Sequence, residues 1–155
     1  MDKITALKEL KEWEFKISAY NLLLSTAMFD ESTIAPKGGL EYRSERFAYL
    51  NGILYELTTD KKIEEVITYL SSLDDLALED KRKVTLYLKD INKTKAIPKD
   101  EYVAFSKAQM LAGDAWERAK KKDDYSIFKP HLLKMIDYQK RFALYRNPDK
   151  DPYDT

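Results

Sequence analysis

Apolar residues at Ile4, Leu7, Leu10, Trp13, Ile17, Tyr20 and Leu24 are separated by threes and fours, which puts them on one face of a single long helix. Nowhere does the chain alternate apolar and polar residues over four or more positions with β-branched enrichment, so no sheet is expected. Asp2 is placed to cap this first helix, whose pattern runs to about Phe29. Residues 29–39, FDESTIAPKGG, hold Pro36 and the pair Gly38–Gly39 and read as a loop.

The same spacing continues downstream. A second helix carries Leu40, Phe47, Leu50, Ile53, Leu54 and Leu57, with Glu41, Arg43, Glu45 and Arg46 on its other side. Thr58, Thr59 and Asp60 break it and cap a short third helix with Ile63, Val66, Ile67 and Leu70. Residues 71–81 read as a turn. A fourth helix shows Val84, Tyr87, Leu88 and Ile91, decays in NKTKA, and is restarted by Ile97–Pro98. The fifth carries Tyr102, Phe105, Gln109, Ala112, Trp116 and Ala119; the sixth is a short turn after Asp124, where Asp123 and Asp124 both suit an N-cap. Pro130 opens the seventh, with Leu132, Met135, Ile136, Gln139 and Phe142, ending near Arg146. The expected fold is all-α: one domain over residues 1–155, an antiparallel array of about six to seven helices. No fixed-period repeat or clear linker divides it.

Composition excludes several function classes. Lys+Arg and Asp+Glu both number 27, so the net charge is zero and a general nucleic-acid binder, which needs a basic face, is disfavoured. The absence of cysteine removes disulfides, thiolate chemistry and zinc–thiolate sites, and is compatible with the cytoplasm. No apolar run approaches the roughly 20 residues that span a bilayer, so no membrane partner is expected. Four glycines leave little for a phosphate-cradling loop.

No catalytic constellation is visible. His131 is the sole histidine, so the two histidines one turn apart of a zinc helix cannot be supplied, and no nucleophile elbow accompanies it. Glu64–Glu65, Asp74–Asp75 and Asp123–Asp124 are adjacent pairs, which do not face each other on a helix. Asp149, Asp151 and Asp154 lack the central glycine and closing glutamate of a calcium loop. Lys120–Lys122 complements a helix C-terminus. The aromatic set Trp13, Phe47, Phe105, Trp116 and Phe128 reads as core. No catalytic, cofactor-binding or metal residue is assigned.

In one block, Phe29–Asp30, Thr33, Pro36, Gly39, Arg43, Leu50 and Thr58 stand in the order aromatic–Asp, Thr, Pro, Gly, Arg, Leu and Thr. That order resembles the carboxypeptidase Taq family of zinc metallocarboxypeptidases, with Phe29 where the family has Trp. In the second, Ile97–Pro98, Ala115–Trp116, Ala119–Lys120, Asp124–Tyr125, Phe128, Pro130 and Leu132 follow in similar order. The final PYDT is similar to the start of the family's next segment.

The resemblance implies a mainly helical, homodimeric enzyme that trims C-terminal residues from peptides with zinc held by an HExxH helix and a later glutamate. Those motifs would all lie C-terminal to the matching region. The chain is therefore expected to be the N-terminal helical segment, part of the wall or lid of the substrate groove, inactive alone. Its partners would be the missing catalytic region, peptide substrate and a second copy. Exposed apolar stripes on the first and the Trp116 helices are a corollary. Arg43 and Asp30 are expected to form a structural pair before the second helix rather than to line the groove. The alternative is a stand-alone helical interaction module without enzymatic activity.

Overall fold

The computed structural model describes residues 1–154, and among them the chain forms six α-helices, three short 3-10 turns and no strand. The helices are α1 (Lys3–Thr33), α2 (Leu40–Thr58), α3 (Lys61–Ser71), α4 (Leu78–Lys95), α5 (Lys99–Lys122) and α6 (Lys129–Arg146). The expected sixth helical element is the 3-10 turn Tyr125–Ile127. The segment PYDT ends on Thr155, which lies outside the described residues.

Helix starts follow local chemistry. Asp2 accepts a hydrogen bond from the Thr5 N–H at 2.9 Å, and that bond holds its carboxyl below the usual range. Asp60 accepts from the N–H groups of Lys62 (2.9 Å) and Ile63 (3.2 Å), starting α3. α4 opens earlier than expected, at Leu78, with Glu79 and Asp80 in its first turn, and runs through the polar NKT to Lys95 with Lys93 in its last. Charges of these signs at these ends complement the helix dipole.

Two cores form. In the first, α1 lays Ala6 and Leu10 against Ile63, Val66, Ile67 and Leu70 of α3 and Val84 and Ile91 of α4. The α3 stripe is as the spacing predicts. The α1 stripe is not entirely so: Ile4 is 81% exposed and Ala6 is fully buried in its place. The helix begins at Lys3, so Ile4 lies in a first turn that α3 does not cover. The second core gathers Ile97, Ala108, Tyr138 and Phe142, with Phe105 edge-on to Tyr138 (5.5 Å) and Phe142 (5.2 Å).

α2 joins the cores, and small residues do it. Ser44, Ala48 and Gly52 are its buried positions, and it packs on α5, whose buried residues are Ser106, Ala108, Ala112, Ala115 and Ala119. The large stripe expected for α2 is only partly buried, because a seam of small side chains lets two backbones approach and takes the central place. Two side chains pin the arrangement. Trp13 donates its indole N–H to the Leu57 carbonyl at 2.8 Å, and the Tyr55 hydroxyl donates to the Ile97 carbonyl at 2.7 Å.

Candidate functional site

The stretch from Phe29 to Arg43 carries the most specific local geometry. α1 does not stop at Phe29 but runs to Thr33, whose hydroxyl donates to the Phe29 carbonyl at 2.6 Å. The Asp30 carbonyl then accepts from the N–H groups of Ile34 (3.1 Å) and Ala35 (3.0 Å) and closes the helix. Pro36, in extended conformation, leads into the 3-10 turn Lys37–Gly39.

Arg43 brackets this turn, with a different partner from the one expected. Its Nε donates to the Glu31 carboxylate, and an outer nitrogen donates to the Pro36 carbonyl at 2.7 Å. Because α1 continues through this region, Glu31 is the acid directed at α2, with its side chain only 12% exposed. Asp30 acts on Arg43 through its charge alone. The Glu31 hydrogen bond is the main reason that the guanidinium is held above its already high range.

Beside the bracket, α1, α2 and α5 enclose a groove of about 160 Å³. Met28, Phe47 and Met110 give it an apolar lining, and Glu31, Asp114 and Glu117 edge it. Each acid is engaged: Glu31 by Arg43, Asp114 by Arg118 at 2.7 Å, and Glu117 by Lys37 at 3.5 Å. The groove has room for a single apolar side chain and offers no free carboxylate for acid–base work. Its signal in the sequence is slight: Gly113, midway along α5, where a Cβ would meet nothing within 4 Å.

The remaining sequence candidates scatter. His131 sits partly buried in the first turn of α6. Among the described residues no group of three or more His, Asp or Glu side chains is placed to hold a metal ion. Glu64 pairs with Lys95 (2.7 Å) and Asp75 with Lys3 (3.0 Å). Asp124 caps its turn by accepting from the Ser126 N–H at 2.9 Å. Asp123, expected as a second N-cap, is instead the left-handed C-cap of α5 at φ 50°. Asp151 accepts from the Tyr153 N–H at 2.9 Å; the side chain of Asp154 lies outside the described residues.

The aromatic set expected in the core divides. Trp13 and Phe105 pack into the two cores, Phe47 lines the groove, and Trp116 is 50% exposed beneath Lys120. α1 exposes Phe15, Leu22, Met28 and Phe29, none of which belongs to the stripe read from its spacing. No helix among the described residues is long and apolar enough to cross a membrane.

Residues 9–155 match the family described as carboxypeptidase Taq (M32) metallopeptidase. Carboxypeptidase 1 of Bacillus subtilis (strain 168) is 34% identical over 156 residues, which is 100% of this chain and 31% of that protein. Thermostable carboxypeptidase 1 of Pyrococcus furiosus is 32% identical over 120 residues, 77% of this chain and 24% of that protein. The crystal structure named BsuCP superimposes with a TM-score of 0.91 at 34% identity, covering 97% of this chain and 30% of that one. The M32 carboxypeptidase from Deinococcus radiodurans R1 does so with a TM-score of 0.74 at 27% identity, covering 97% and 30%. The chain thus spans under a third of the length of the relatives it matches.

Proposed function

Because this chain belongs to the carboxypeptidase Taq (M32) metallopeptidase family, we propose that it is the N-terminal helical segment of a zinc metallocarboxypeptidase. The whole enzyme would remove C-terminal residues from peptides in the cytoplasm and act as a homodimer. The observation that carries this reading is the extent of the match. Nearly every helix here has its counterpart in a chain about three times as long, in which the remainder has no counterpart here.

Among the described residues, the side chains present do not fit a zinc site. One histidine, partly buried at a helix start and without a cluster of acids around it, supplies neither the ligand number nor the tetrahedral geometry that zinc takes. Metal and catalytic glutamate would belong to the region beyond this segment. The contribution of residues 1–155 is then architectural. The two cores hold the groove edge and the long uncharged half of α1 in fixed relation, as one wall of a peptide-binding cleft.

Two measurements test the reading. Reading the source gene beyond codon 155 should reveal HExxH and a later glutamate; a stop codon there would leave a helical interaction module instead. Purified residues 1–155 should release no amino acid from a blocked dipeptide or longer peptide and should bind zinc no more tightly than surface histidine does. Stoichiometric zinc or turnover in this chain would contradict the assignment.

A further inference from the structure

We draw no further inference here: the strongest candidate, the apolar groove between α1, α2 and α5 lined by Met28, Phe47 and Met110, carries nothing, because nothing in the structure shows what covers it.

Discussion

Arg43 lies across Gly39, so that a Cβ on the glycine would overlap the guanidinium. The far end of an arginine usually gives way, but this one is tied on its other side to Glu31 and to the Pro36 carbonyl. Gly39→Ala should therefore force the guanidinium off both partners and lower stability by about 1 kcal/mol, or about 3 °C in Tm. Gly38→Ala is the control, because a Cβ there meets nothing within 4 Å. Thermal denaturation that cannot tell the two variants apart would show that Arg43 is free to move.

The two glycines inside helices should respond in opposite ways. At Gly113 a Cβ meets open space, so Gly113→Ala keeps the fold and removes the backbone-entropy cost of glycine, a gain of about 0.5–1 kcal/mol. At Gly52 a Cβ would sit 3.2 Å from Val103 Cγ2, in the α2–α5 seam. Gly52→Leu should overpack that seam and cost about 1–3 kcal/mol. Chemical denaturation of both variants checks the pair, and a stable Gly52→Leu protein would mean that the helices can separate.

These glycines also show where the sequence was legible. Spacing identifies α3 and its four buried residues, because one apolar stripe there meets one continuous core. It misjudges α2, whose buried positions are Ser44, Ala48 and Gly52, and finds only Ala112 and Ala119 of the small buried face of α5, because small residues give a weak apolar signal. The groove is hidden for the same reason: Met28, Phe47 and Met110 come from three separate helices and converge only after that seam forms. Arg43 was legible as a bracket, but its partner was not. Whether Asp30 or Glu31 faces α2 depends on where α1 ends, and loop-like residues such as Ser32 and Thr33 stay helical by bonding back to the Phe29 carbonyl.

Alkaline pH should loosen the first core before the chain unfolds completely. Burial, and then the hydrogen bond to Glu14 at 2.8 Å, push the Tyr87 phenol up to about 12, and burial also raises Tyr55 and Tyr102. A phenol whose folded pKa exceeds its unfolded value of about 10 contributes stability that is complete below pH 10 and is lost as pH rises through the folded value. Tm should thus hold up to about pH 10 and fall between 10 and 12. In Tyr87→Phe the starting Tm should be lower and the alkaline fall shallower. An unchanged slope would remove Tyr87 from the linkage.

Ile67 and Phe142 belong to different cores, and comparing them tests how far the α2–α5 seam couples the two. Ile67 is fully enclosed by α1, α3 and α4, and Phe142 stacks against Phe105 and Tyr138. Truncation to alanine should cost about 2–5 kcal/mol at Ile67 and about 3–5 kcal/mol at Phe142. The residues share no packing neighbour, so the double variant should lose the sum to within about 0.5 kcal/mol. Unfolding should nonetheless remain one transition, because Tyr55 ties α2 to the Ile97 carbonyl and the α2–α5 seam cannot open without exposing both sides. If Phe142→Ala instead gives two calorimetric steps while Ile67→Ala gives one, α5 and α6 form a separately melting unit and the seam is weaker than its burial implies.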